Sequence, residues 1–120
     1  MTQPVHLYGL KKCSTCVKAM AWLDETGITY TFTDYREHPV PKDTLVQWAE
    51  QLGGWEKLVN RASLTWRNLA PDQKSASTTE EFLALIAQYP TLIRRPVIEG
   101  LSQGVAVGFS EKKYTALFGD

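Results

Sequence analysis

Apolar positions recur along this chain with two different periods, and the places where the period changes divide it into elements. Val5, Leu7 and Tyr8 form a short apolar run that reads as a strand, and Gly9 loosens the backbone after it. From Ser14 to about Glu25 the spacing turns helical, with Cys16, Ala19, Met20 and Leu23 at i, i+3, i+4 and i+7. Gly27 is placed to end that helix in a left-handed cap. Ile28 to Tyr35 alternates, with Tyr30 and Phe32 on one face and Thr31 and Thr33 on the other, which predicts a second strand. A helix joining two strands implies a parallel pair with a right-handed crossover.

The middle of the chain carries no strand signal. His38-Pro39-Val40-Pro41 is a proline-punctuated loop, and Pro41 suits the first position of a helix. Leu45, Trp48, Ala49 and Leu52 mark the inner face of that helix, and Gly53-Gly54 stops it. Trp55 to Asn60 and Ser63 to Leu69 read as two short helices, and Ala70-Pro71-Asp72 as an interruption. Trp48, Trp55 and Trp66 read as core, the usual place of tryptophan.

Ser77 followed by Glu80 is a capping-box pattern at the head of a helix carrying Phe82, Leu85, Ile86 and Tyr89, which Pro90 ends. Thr91 to Pro96 leads into a strand, Val97-Ile98-Glu99. A turn over Gly100 to Gly104 returns it as Val105-Ala106-Val107, and Ser110 caps a last helix that buries Tyr114, Leu117 and Phe118.

The order is therefore β-α-β, a block of small helices over about 41–75, then α-β-β-α. It predicts an α/β chain in the thioredoxin arrangement, a four-stranded mixed sheet flanked by helices. The expectation is a single domain over 1–120 with the helical block inserted between its halves. In that arrangement a cis proline at the start of the third strand faces the junction after the first, and Pro96 occupies that place.

Composition narrows the partners. Of 120 residues, 43% are apolar and 22% charged, as in ordinary globular chains. The 13 basic residues balance the 13 acidic ones, so no net field draws nucleic acid or an anionic membrane, and neither is expected as a partner. No apolar run approaches the roughly 20 residues that span a bilayer. Met-Thr-Gln-Pro-Val-His lacks the charged and apolar regions of a secretory signal. A cytoplasmic, reducing compartment is the expected location, and a monomer the expected state.

The chemistry concentrates at the first strand-to-helix junction, Lys11-Lys12-Cys13-Ser14-Thr15-Cys16, which holds both cysteines of the chain. A helix N-terminus presents unpaired N–H groups and partial positive charge, and both stabilise a thiolate. Such settings lower a cysteine pKa from about 8.5 to roughly 3.5–7.5. Lys11 and Lys12 add positive charge on the approach side. Cys13, at or just before the helix start, is the candidate nucleophile, and Cys16, one turn in, can reach back to resolve a mixed disulfide. A structural disulfide closing so short a loop would stabilise only weakly. A zinc site would need a second pair, and His6 and His38 lie at no standard ligand spacing. Two incidental thiols remain an alternative; the position after a strand favours redox chemistry.

The residues then resemble a known family, the arsenate reductase (ArsC)/Spx-like proteins, over nearly the whole chain. The resemblance rests on Tyr8-Gly9, Cys13-x-x-Cys16-x-Lys18-Ala19, Gly27-Ile28 and Asp34-Tyr35-Arg36. It continues through Asn60-Arg61, Pro90-Thr91-Leu92-Ile93-Arg94-Arg95-Pro96-Val97 and Val107-Gly108-Phe109. Asn60-Arg61-x-x-x-Thr65-Trp66-Arg67 and the Gly-Phe ending look closest to the YffB-like branch, described as glutathione-dependent thiol reductases.

The resemblance implies a thiol–disulfide oxidoreductase with Cys13 as nucleophile and Arg95, just before the cis proline, as an anion-binding fork. Asn60, Arg61, Lys12, Ser14, Thr15 and Pro96 are the further candidate substrate contacts. It implies no bound metal or organic cofactor, glutathione or a small thiol or disulfide as co-substrate, and glutaredoxin as a further candidate partner. Two departures bear on the substrate. The other two arginines of the arsenate site fall at Asn60, with Arg61 beside it, and at about Gly108, which carry no such charge. Cys16 stands where the arsenate enzymes place a hydroxyl residue, whereas the Spx regulators, which act by binding RNA polymerase, carry both cysteines. Arsenate reduction and a redox-sensing transcription partner without turnover are therefore the alternatives.

Several residues also have plainer readings. Adjacent Arg94 and Arg95 point to opposite sides of an extended loop, so one of them is a solvated or salt-bridged charge. Lys11 and Lys12 fit a solvated surface equally well. His6 and His38 read as surface or strand-end residues rather than general bases.

Overall fold

The computed structural model describes residues 5–101 and 104–118. The strands are β1 (Val5–Gly9), β2 (Tyr30–Asp34), β3 (Val97–Glu99) and β4 (Ala106–Val107). They form one mixed sheet in the order β2-β1-β3-β4. β1 and β2 run parallel, with Val5 opposite Tyr30 and Gly9 opposite Asp34. β3 is antiparallel to β1 and to β4. The thioredoxin arrangement expected from the element order is the observed one. Positions 102 and 103, in the turn expected between Gly100 and Gly104, lie outside the described residues.

The helices are α1 (Ser14–Thr26), α2 (Lys42–Leu52), α3 (Trp55–Leu58), α4 (Leu64–Arg67), α5 (Pro71–Lys74), α6 (Thr79–Gln88) and α7 (Glu111–Phe118). A 3-10 turn, Pro90–Leu92, follows α6. α1 ends at Gly27, whose φ of 79° is the left-handed cap conformation. Ser110 heads α7 by accepting the Lys113 N–H at 3.0 Å.

Three local expectations are corrected. The capping box of α6 is Thr78 with Glu81, one residue beyond Ser77 and Glu80. The Glu81 carboxylate accepts the N–H groups of both Ser77 and Thr78, each at 3.2 Å, so one carboxylate serves both residues. Ala70-Pro71-Asp72 starts a helix instead of interrupting one, because Pro71 sits in the first turn of α5, where its missing N–H costs nothing. Pro41 is the cap of α2 rather than its first residue.

The chain divides into two compact units: one runs to His38 and resumes at Arg95, and the other is Pro39–Arg94. The first contains the whole sheet, α1 and α7. Its core is Val5, Leu7, Ala19, Leu23, Ile98, Ala106 and Tyr114. Alternation along β1 turns Val5, Leu7 and Gly9 to the buried side and leaves His6 and Tyr8 half-buried. Tyr114 is fully buried, with Trp22 and Phe109 edge-on to its ring, whereas Leu117 and Phe118 are only half-covered.

The second unit is helical apart from one bridge, Val59 to Ile93. Leu58, Val59, Leu92 and Ile93 are buried there, and Trp55 stacks on Phe82 at 5.6 Å between ring centroids. α6 clusters with this unit. Among the described residues no helix is long and apolar enough to cross a membrane.

Candidate active site

Four segments of the first unit converge beyond the C-terminal end of β1. Cys13 is the N-cap residue of α1, extended at φ −77° and ψ 124°, and its carbonyl accepts the Val17 N–H at 3.0 Å. The 13 residues of α1 aim their positive end at this point, and no acidic side chain in the first turn offsets it. Both cysteines are free thiols, Cys13 half-buried and Cys16 fully buried.

Gly9 makes room for Cys16: a Cβ built on it would lie 2.5 Å from the Cys16 sulfur, so a side chain there and the thiol exclude each other. Asp34 is a buried carboxylate at the end of β2. It accepts the Lys11 N–H at 3.0 Å and the Arg36 N–H at 2.9 Å, and its own carbonyl accepts Glu37 and His38 N–H groups. With Cys13 N–H donating to the Leu10 carbonyl at 3.1 Å, the loop between β1 and α1 is tied to the end of β2.

The fourth segment precedes β3. The Arg95–Pro96 peptide is cis, Pro96 is buried, and its carbonyl accepts the Gly108 N–H at 2.9 Å. The Arg95 guanidinium hydrogen-bonds to the sulfur of Cys13 and to the hydroxyl of Tyr35.

These surroundings split the two thiols. Burial opposes charge on Cys13, but the Cys16 backbone N–H, the Arg95 guanidinium, the Cys16 thiol and the Thr15 N–H outweigh it, so Cys13 is lowered from the ordinary cysteine value. Burial pushes Cys16 up to about 11; the Leu10 backbone works against this, and the neighbouring Cys13 adds to it by charge and by hydrogen bond. Of the two thiols Cys13 is the more readily ionised, and Cys16, the harder to ionise, donates to it. Burial likewise raises Tyr35, to about 12, against the pull of Arg95.

The sequence-derived candidates fall into two groups. Cys13, Cys16, Lys12, Ser14, Thr15, Arg95 and Pro96 all belong to the first unit, with Lys12 and Ser14 exposed and Thr15 half-buried. Lys11, expected to bias the thiolate, instead pairs with Glu37 at 2.8 Å. Asn60 and Arg61 belong to the other unit. Asn60 accepts the Ala62 N–H at 3.0 Å and, through its carbonyl, the Ser63 hydroxyl at 2.7 Å, which builds the turn into α4. The Arg61 guanidinium lies 5.4 Å from the centre of the Trp66 ring. Among the described residues no group of three or more His, Cys, Asp or Glu could hold a metal ion.

Gly9, Asp34 and Tyr35 are the site residues that sequence reading missed as such. A signal was present: a parallel β1–β2 pair brings the residues after β2 beside the loop after β1.

The chain is similar to several known proteins. The model of the ArsC family matches residues 8–117. An uncharacterized protein of Haemophilus influenzae is 42% identical over 95% of this chain and 98% of its own length. The global transcriptional regulator Spx 1 of Lactococcus lactis is 28% identical over 93% of this chain and 87% of its own. Among solved structures, that of the YFFB protein superposes with a TM-score of 0.84 at 36% identity, covering 94% of this chain and 97% of that one.

Proposed function

Because the chain belongs to the ArsC family and keeps that family's arsenate reductase-like thiol oxidoreductase fold, we propose that it is a glutathione-dependent thiol–disulfide reductase. The observation that carries this reading is one placement: a half-exposed Cys13 at the N-terminus of α1, touched by the Arg95 guanidinium, with a protonated Cys16 thiol behind it.

The reaction follows from that placement. The Cys13 thiolate attacks one sulfur of a disulfide; a new S–S bond forms, the old one breaks, and the released thiolate takes up a proton from solvent. A glutathione thiolate then attacks the external sulfur of the mixed disulfide, and Cys13 leaves as the thiolate it began as. Each such turnover uses one glutathione and yields one thiol and a mixed glutathione disulfide. A second turnover on that mixed disulfide uses a second glutathione and yields glutathione disulfide. Two glutathione molecules together thus supply the two electrons that reduce the substrate to two thiols. Arg95 binds a carboxylate of glutathione, and Lys12, Ser14, Thr15 and the backbone before Pro96 flank it. Once Cys13 is in a mixed disulfide its charge no longer adds to the burial that raises Cys16. As a second route Cys16, giving up its proton, attacks the Cys13 sulfur and expels the bound substrate thiolate, leaving a Cys13–Cys16 disulfide that two glutathione molecules reduce.

A second reading, a regulator without turnover, is favoured by the similarity to Spx 1 along 93% of this chain. The test compares wild type, Cys13→Ser and Cys16→Ser for glutathione-dependent reduction of a small disulfide and of arsenate. Disulfide turnover that disappears in Cys13→Ser is the expected result. Turnover surviving Cys13→Ser sinks the mechanism, arsenate turnover alone changes the substrate, and a titratable disulfide with no turnover favours the regulator.

A further inference from the structure

Tyr35 has no part in the reaction as written, yet it is 1% exposed and its hydroxyl hydrogen-bonds to the Arg95 guanidinium. Arg95 is the side chain that also hydrogen-bonds to Cys13. The backbone at Tyr35 is fixed: its N–H donates to the Gly9 carbonyl at 3.1 Å, and Asp34 beside it clasps Lys11 at 3.0 Å. The hydroxyl is thus presented from a rigid strand end. A planar guanidinium held at two points has far fewer orientations than one held only at the sulfur it serves.

We propose that Tyr35 is a positioning residue, whose buried hydroxyl holds the Arg95 guanidinium against the Cys13 sulfur before any substrate arrives. The proposal deepens the reading of Cys13 as the reacting thiol and rests on it. The groups facing that sulfur are Cys16 from α1, Arg95 from the segment before β3, and Tyr35 from the end of β2. Replacing Tyr35 by Phe changes the charge of none of them and keeps the ring that fills the space.

The experiment measures the rate of alkylation of Cys13 by iodoacetamide across pH, with the modified residue identified by peptide mass. Wild type, Tyr35→Phe, Arg95→Ala and the double variant are compared, and thermal unfolding is recorded for each. In Tyr35→Phe the midpoint moves up by about half to one pH unit, which is roughly three- to tenfold less thiolate below the midpoint. In the Arg95→Ala background the same substitution adds nothing, because the group it positions is gone. Arg95→Lys, which keeps the charge without the fork, gives an upward shift with Tyr35 intact, and so tests the two-point hold even if Tyr35→Phe does not fold.

A Tyr35→Phe profile that superposes on wild type overturns the proposal, whatever happens to the melting temperature. An undiminished shift in the Arg95→Ala background, or an unshifted Arg95→Lys, overturns it equally. The profile reads the thiolate without turnover. Wild type that lacks glutathione-dependent activity but shows these shifts would sink the proposed function and leave the role of Tyr35 standing.

Discussion

Gly9→Ala is a sharp probe of the site because its effect comes from a single contact. Gly9 does not have the positive φ that excludes side chains, so alanine brings no backbone strain. What it brings is a methyl carbon 2.5 Å from the Cys16 sulfur, 3.5 Å from the Cys16 Cβ and 3.6 Å from Phe32. Ordinary contact begins at about 3.5–4 Å, so the overlap with sulfur is about 1 Å or more. Cys16 is fully buried and cannot yield toward solvent. Overpacking of this kind costs about 1–3 kcal/mol. With a urea slope of about 2 kcal/mol/M, the unfolding midpoint falls by about 0.5–1.5 M.

The specific reading is a cycle: Gly9→Ala, Cys16→Ala and the double variant, each unfolded in urea under reducing conditions. Removing the sulfur relieves the overlap, so the double variant is more stable than the sum of the singles by about 1 kcal/mol or more. Additivity within about 0.5 kcal/mol, or no loss in Gly9→Ala, would refute the claim that Gly9 is small to admit this thiol.

The other predictions concern the thiolate, the loop and a helix cap. Cys16→Ala removes the thiol that donates to Cys13, and the midpoint of Cys13 alkylation moves to higher pH; an unmoved profile would show that the donor is unimportant. Asp34 is held below the ordinary carboxylate range: burial opposes its charge, but N–H groups of Lys11, Arg36 and Glu37 and the Lys11 cation outweigh it. Its contribution is complete above the unfolded value of about 3.9 and is lost as pH falls through the lower folded value. Asp34→Asn is therefore less stable than wild type near neutrality, and urea midpoints of the two converge as pH falls through the folded value; a pH-independent difference would contradict this. Thr78→Ala costs about 0.5–2 kcal/mol by urea unfolding, the usual loss of an N-cap, whereas Ser77→Ala, which keeps its backbone donor to Glu81, costs less than about 0.5 kcal/mol; the reverse order would restore Ser77 as the cap.

What could be read directly from the sequence was what depends on local pattern. The apolar run before Cys13, the helical spacing from Cys16 to Leu23 and the strand ahead of Glu99 are each set within a dozen residues, and the structure keeps all three. The Cys13–Cys16 junction and the place of Pro96 followed from element order, and Arg95 from the family resemblance. The contributions of Asp34, Tyr35 and Gly9 depend instead on register. They become site residues only because β1 and β2 pair in parallel with Gly9 opposite Asp34. The misplaced cap has a local cause: Ser77-x-x-Glu80 and Thr78-x-x-Glu81 are overlapping patterns, and only the fold shows that the Glu81 carboxylate gathers both N–H groups. The Lys11–Glu37 pair was not legible either, because Glu37 lies beyond β2 and is brought near by the same strand pairing.

The central claim is that Cys13 is the thiol that carries the substrate. It is tested most directly by incubating wild type, Cys13→Ser and Cys16→Ser with oxidised glutathione at about pH 6, where an ordinary thiol is almost wholly protonated, and mapping the adduct by peptide mass. The prediction is that Cys16→Ser traps one glutathione per chain, at Cys13, and that Cys13→Ser stays unmodified. Adduct at Cys16 in the Cys13→Ser chain, or an unmodified Cys13 in the Cys16→Ser chain, would contradict the account.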